Sequence, residues 1–146
     1  MSDSPQSKNE KIVLLIDDNN DDILLFRRGY KAAGIINRLR IVNDGAEAIK
    51  YLTRAATGHD RTRYPLPVLI FLDLKMPGTS GFDVLQWVRQ KSEIRDLPII
   101  VLTTSGDLND VKTAYELGAN SFVTKALNSD ELVTELRGVK QHWLMP

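Results

Sequence analysis

The sequence predicts an open α/β fold: five parallel strands, each followed by a helix, with helices on both faces of the sheet. Three observations carry this. Short apolar runs alternate five times with amphipathic stretches of helix length. Three of the runs, at 12–16 (IVLLI), 68–72 (VLIFL) and 99–102 (IIVL), are apolar at every position, as expected of strands covered on both sides. The other two, at 39–42 (LRIV) and 121–124 (SFVT), mix in polar residues, which suits the edges of a sheet.

Taken in order, residues 1–10 (MSDSPQSKNE) read as a disordered arm, being rich in Ser, Asn and charge without an apolar partner, and residues 11–146 read as one domain. Strand 12–16 leads into a helix over 21–33 that stops at Gly34. Strand 39–42 precedes a helix over 45–55, strand 68–72 a helix over 82–90, and strand 99–102 a helix over 108–117 closed by Gly118. After strand 121–124 the last helix runs from 130 to about 142, where Leu132, Leu136, Val139 and Trp143 form one apolar stripe. Central strands one, three and four with edges two and five correspond to the order 2-1-3-4-5, a flavodoxin-like doubly wound sheet. Ligands of such sheets bind beyond the carboxyl ends of the strands, near the switch between strands one and three.

Composition narrows the function classes. The 146 residues suffice for one domain with a single core. Lys+Arg and Asp+Glu both number 19, so the basic excess of a phosphate-gripping nucleic-acid binder is absent. There is no cysteine, which excludes disulfides, thiol catalysis and zinc–thiolate sites. The longest apolar run is about five residues where a membrane helix needs roughly 20, and the first ten residues lack a secretory hydrophobic stretch. A soluble, intracellular, cytoplasmic domain is the expectation, with no nucleic-acid or membrane partner.

The strand ends carry the chemistry. Strand one runs into Asp17 and Asp18, strand three into Asp73, strand four into Thr103-Thr104-Ser105 and strand five into Lys125. In the predicted order, three carboxylates, a hydroxyl and an ammonium converge on one pocket. Three packed anions repel unless a cation intervenes, and Mg²⁺ prefers such oxygen ligands. Lys125 and Thr103 are placed to hold phosphoryl oxygens, with one carboxylate as nucleophile forming an acyl phosphate. Asp73 lies centrally between the strand-one acids and the Thr103/Lys125 pair. Each residue alone has a plainer reading: Asp17 and Asp18 as helix caps, Thr103 and Lys125 as structural or solvated groups. Their conjunction at the ends of four strands favours a site.

With LLIDDNNDD (14–22), FLDLKMPGTSGFDVL (71–85), PIIVLTTS (98–105) and ANSFVTK (119–125), the chain resembles a response regulator receiver domain of bacterial two-component signalling, from residue 11 to about 143. The separations among Asp73, Thr103 and Lys125 agree with that family's spacing. The resemblance implies that Asp73 accepts a phosphoryl group from a histidine kinase. It implies that Mg²⁺ is bound by Asp17, Asp18, Asp73 and the backbone carbonyl of Lys75. It places Thr103 and Lys125 on the phosphoryl oxygens, and Phe122 at the switch aromatic whose ring turns inward as Thr103 moves. It implies a phosphoacceptor with self-catalysed phosphorylation and autodephosphorylation rather than a separate enzyme.

Two departures bear on this reading. The family usually has Pro after the lysine, often with a cis peptide; here Ala126 follows, and a trans bond is expected. The connection over 54–67 (RAATGHDRTRYPLP) is long. A similar insertion with the missing proline occurs in stand-alone regulators that partner phytochrome-type kinases, the preferred placement. Lys75, at the site entrance or simply solvated, and Thr104 are expected to tune the lifetime of the phosphorylated state. His59 has no second His or Cys spaced to join it in a metal site and reads as a loop residue.

For partners, the apolar end Trp143-Leu144-Met145-Pro146 either folds back on the domain or forms a dimer contact. A homodimer through the helix 4–strand 5–helix 5 face and this end is expected. Leu24 and Leu25, beside Arg27 and Arg28, are expected to form a kinase-docking surface with one leucine in the core. No DNA-binding segment follows the last helix, so output is expected through protein contact, a downstream phosphotransfer protein included. Three alternatives are weighed. An aspartyl-nucleophile phosphatase of the haloacid-dehalogenase type needs an acid two residues after the nucleophile, where Lys75 stands. A flavin carrier needs a hydroxyl- and glycine-rich phosphate loop after strand one, where Asp17-Asp18-Asn19-Asn20 would repel phosphate. A non-phosphorylated pseudo-receiver scaffold would not need every acceptor-site residue.

Overall fold

The structure, a computed structural model, describes residues 11–104, 107–125 and 128–145. The predicted arm at 1–10, Ser105 and the peptide bond into Ala126 lie outside these residues. Five strands, β1 (Val13–Ile16), β2 (Leu39–Val42), β3 (Leu69–Asp73), β4 (Ile99–Thr103) and β5 (Ser121–Thr124), form one parallel sheet in the order β2-β1-β3-β4-β5. The flavodoxin-like class and strand order are as the sequence predicts. Every residue of β1, β3 and β4 is buried, whereas β2 is half-buried throughout and β5 has one buried position.

Alternation along the strands splits the interior into two layers. Leu14, Ile16, Ile70, Leu72, Ile99 and Val101 face α2 (Gly45–Thr57), α3 (Gly81–Arg89) and α4 (Leu108–Glu116). Val13, Leu15, Leu69, Phe71, Ile100, Leu102 and Val123 face α1 (Asn20–Ala32) and α5 (Ser129–Val139). Asp17 and Asp73 continue the second set past Leu15 and Phe71, and Lys125 continues it past Val123. Because Ile16 is paired with Leu72, the ladder brings the next residue of each strand, Asp17 and Asp73, side by side. The in-register parallel sheet thus gathers three charged side chains on one face at its carboxyl edge. Thr103 has the opposite parity, that of Ile99 and Val101.

Several expected boundaries shift, each for a local reason. Helices α1, α3 and α5 start one residue earlier because Asn19, Ser80 and Asn128 cap them, each accepting the backbone N–H three residues on. Asp73 and Thr103 are the last residues of β3 and β4 rather than the first after them. Helix α2 continues to Thr57 and ends where Gly58 adopts a left-handed φ of 72°. The connection before β3 is therefore shorter than the expected 54–67 segment. It is packed rather than free: Tyr51 donates to the Pro65 carbonyl, and Arg40 reaches the Arg63 carbonyl at 2.8 Å.

At the other end, α5 stops at Val139 and the chain continues through a wider turn, Lys140–Leu144, with the Met145 N–H bonded to the Lys140 carbonyl at 3.0 Å. Trp143 and Leu144 pack partly buried against the α1/α5 layer, and Met145 is exposed. The placement of one of Leu24 and Leu25 in the core is corrected. Both are 49% exposed, because the inward stripe of α1 is Ile23, Phe26, Gly29 and Tyr30 and the two leucines flank it. No helix among the described residues is long and apolar enough to cross a membrane.

Candidate functional site

The site forms where β1, β3 and β5 deliver Asp17, Asp73 and Lys125 under the first turn of α1. Asp17 and Asp73 are 1% and 4% exposed, and buried carboxylates at this depth require a partner. That partner is Lys125. Its Nζ lies 3.1 Å from Asp17 Oδ2, 3.2 Å from Asp73 Oδ2 and 2.8 Å from Asp22 Oδ2. The remaining oxygens are used locally: Asp17 Oδ1 accepts from the Asn19 N–H at 3.0 Å, and Asp73 Oδ1 from the Lys75 N–H at 3.1 Å.

The electrostatics follow from burial and charge count. Burial raises the Asp73 carboxyl pKa; the Lys125 charge opposes this and the neighbouring Asp17 adds to it, leaving it at about 6. For Lys125, burial favours the neutral amine. The hydrogen bond it donates to Asp22 and the charges of Asp73 and Asp17 together outweigh it, holding the ammonium above the ordinary lysine value.

Ligand oxygens of Asp17, Asp18 and Asp73 all lie within 4.8 Å of one another. Asp17 Oδ2 is fully buried and accepts no hydrogen bond; its approach to Lys125 is an ion pair outside hydrogen-bond geometry. Three carboxylates with a single ammonium shared among them suit a hard divalent cation taking oxygen ligands.

The other predicted residues are placed as follows. Thr103 is 6% exposed at the end of β4, and its hydroxyl donates to the Thr104 carbonyl at 3.0 Å. The Lys125 N–H donates to the Thr103 carbonyl at 2.7 Å, so the two residues are joined through backbone. Thr104 is exposed, and so is Phe122, at 40%, with its ring edge-on to Tyr115 at 6.4 Å between centroids. Lys75 is exposed, and its Nζ pairs with Asp110 Oδ2 of α4 at 2.8 Å. His59 is exposed, as expected of a loop residue.

Sequence reasoning assigned no role to Asp22 or Asp110. Asp22 had a usable signal, since it stands in the first turn of the helix that follows Asp17, on the quoted LLIDDNNDD stretch. For Asp110 the sequence offers none; its role depends on how α4 lies against the loop after β3.

The comparisons with known proteins agree with this geometry. The family model described as response regulator receiver domain matches residues 13–137. Response regulator Rcp1 of Synechocystis sp. is 33% identical over 141 residues, covering 97% of this chain and 94% of its own length. A crystal structure of the Mn²⁺-bound form of Rcp1 superposes with a TM-score of 0.77 at 34% identity, over 92% of this chain and 94% of that one. The phosphorylated cyanobacterial phytochrome response regulator RcpA gives 0.79 at 30% identity, with 92% and 94% covered. Response regulator RPA3017, described in red light signaling of R. palustris, gives 0.83 at 30% identity with the same coverage.

Proposed function

The chain belongs to the response regulator receiver domain family, and on that premise we propose that it is a single-domain response regulator in which Asp73 accepts a phosphoryl group from a phosphohistidine of a histidine kinase. The observation that carries this is the buried Asp17/Asp73 pair with Asp18 beside it and Lys125 between them. In the transfer, an Asp73 carboxylate oxygen bonds to phosphorus, the phosphorus–nitrogen bond to the donor breaks, and the imidazole leaves with its electron pair. A Mg²⁺ ion held by Asp17, Asp18, Asp73 and the Lys75 carbonyl would stabilise the charge on the phosphoryl oxygens.

Lys125 already stands beside the acceptor and donates to one phosphoryl oxygen. Thr103 turns its hydroxyl from the Thr104 carbonyl to another, and Phe122 moves inward behind it. The new dianion supplies the differential interaction that such a two-state change requires. Lys75 and Thr104 set how long the phosphoryl group survives. Exposed Leu24, Leu25, Arg27 and Arg28 on α1 offer the kinase a docking surface. The likeness to RcpA supports a phytochrome-type kinase as the donor, with output through a homodimer on the α4–β5–α5 face and C-terminal segment or through a downstream phosphotransfer protein, in the cytoplasm.

Incubation with acetyl phosphate should add the mass of one phosphoryl group in the presence of Mg²⁺ and none after chelation. Sedimentation of the same samples reads dimerisation. An unmodified protein under every condition would leave the non-phosphorylated scaffold as the better reading. Metal uptake should also depend on pH. Metal requires the ionised Asp73, so affinity is expected to fall by up to about tenfold per pH unit below about 6 and to level off above it. A flat calorimetric titration series from pH 5 to 8 would remove Asp73 from the metal site.

A further inference from the structure

We propose that Asp22 is a positioning residue that shares the Lys125 ammonium with Asp17 and Asp73, weakening its hold on these two metal-ligand carboxylates while keeping it beside the acceptor. Of the three carboxylates around Lys125 Nζ, Asp22 makes the shortest contact, 2.8 Å, and it is a hydrogen bond as well as an ion pair. The contacts to Asp17 and Asp73 are longer, at 3.1 and 3.2 Å. Asp22 is itself fixed. It is the third residue of α1, its N–H donates to the Asn19 cap at 2.9 Å, and a carboxylate there is favoured by the helix N-terminus. Its side chain is 37% exposed, whereas Asp17 and Asp73 are almost fully enclosed. Asp22 lies outside the cluster of ligand oxygens formed by Asp17, Asp18 and Asp73, so it can keep the ammonium as a counter-ion without becoming a metal ligand.

The consequence is a division of labour among four carboxylates. Asp17, Asp18 and Asp73 answer to the divalent cation, and Asp22 answers to the ammonium. Without Asp22, Lys125 is left to Asp17 and Asp73 alone, holds them more tightly and competes there more strongly with the cation. Metal uptake weakens, and metal-dependent phosphorylation slows with it.

This rests on the metal-site reading above, and a double-mutant cycle separates the two. Mn²⁺ affinity is measured by calorimetry at pH 8 for the full chain, Asp22→Asn, Lys125→Gln and the double variant. With Lys125 present, Asp22→Asn is expected to weaken binding about fivefold; with Lys125→Gln, the same substitution should change it less than about twofold. Equal losses in both backgrounds would mean that Asp22 acts on the ion by its charge alone, overturning its role on Lys125 while leaving the metal site intact. No Mn²⁺ binding by the unaltered chain would overturn both. Should Lys125→Gln not fold, a crystal structure of the Mn²⁺-loaded chain decides. Lys125 Nζ within hydrogen-bond distance of Asp22 supports the proposal, and an ammonium swung away from Asp22 overturns it.

Discussion

Asp73→Asn is expected to reduce phosphoprotein formation from acetyl phosphate or a phosphorylated kinase by ~10³-fold or more, because the amide lacks the nucleophilic oxygen on which the reaction depends. The fold should survive. Burial raises the folded-state pKa of Asp73 above its ordinary value, to about 6. The stability linked to its proton is therefore fully present below the ordinary carboxylate range and is lost as pH rises through about 6. At pH 8 the ionised side chain opposes folding, and the neutral amide relieves that opposition while Lys125 keeps Asp17 and Asp22 as partners. Thermal unfolding at pH 8 should accordingly show an unchanged or higher Tm. A large fall in Tm would mean that any loss of phosphorylation reports damage to the fold rather than loss of the acceptor.

Gly81→Ala should have the largest effect on stability among conservative substitutions near the site. A Cβ at Gly81 would lie 2.1 Å from the Asp73 carbonyl oxygen and 2.6 Å from Leu74 Cα, both backbone atoms that cannot rotate away. The opening turn of α3 rests directly on the end of β3, and the Gly81 N–H donates to the Leu74 carbonyl at 3.1 Å. Gly45, which opens α2, is equally tight against the Thr79 carbonyl oxygen, at 2.2 Å. The two helix starts therefore clamp the loop that carries Lys75, and a methyl group at position 81 must displace Asp73, α3 or both. The expected cost is about 3 kcal/mol, or roughly 10 °C in Tm, with weaker divalent-cation binding measured on the same preparation. Unchanged Tm and metal affinity would show that α3 can lift without moving Asp73.

The sequence made the sheet legible because parallel strands buried on both faces leave continuous apolar runs, and edge strands do not. Asp17, Asp73 and Lys125 were legible for the same reason: once strand order and parity are known, their convergence follows from the ladder. Side chains whose role depends on how a helix lies against its neighbours were not legible. Leu24 and Leu25 are both apolar, yet a helix of 3.6 residues per turn directs Ile23 and Phe26 inward and leaves the pair on the flank. Asp22 reaches Lys125, and Lys75 reaches Asp110, across elements far apart in sequence. The direction of the Thr103 hydroxyl is a local matter of one rotamer and one carbonyl that no residue pattern encodes. Helix α2 runs two residues past the expected end because Ala56 continues the inward stripe of Leu52 and Ala55, and the left-handed Gly58 closes it.

The central claim is that the phosphoryl group resides on Asp73, and chemical mapping tests it most directly. After Mg²⁺-dependent reaction with acetyl phosphate, borohydride reduction converts an aspartyl phosphate to homoserine, which peptide mass spectrometry locates in the chain. Homoserine at position 73, and at no other aspartate, is the predicted result. Homoserine at Asp17, Asp18 or Asp22 with Asp73 untouched would contradict the account.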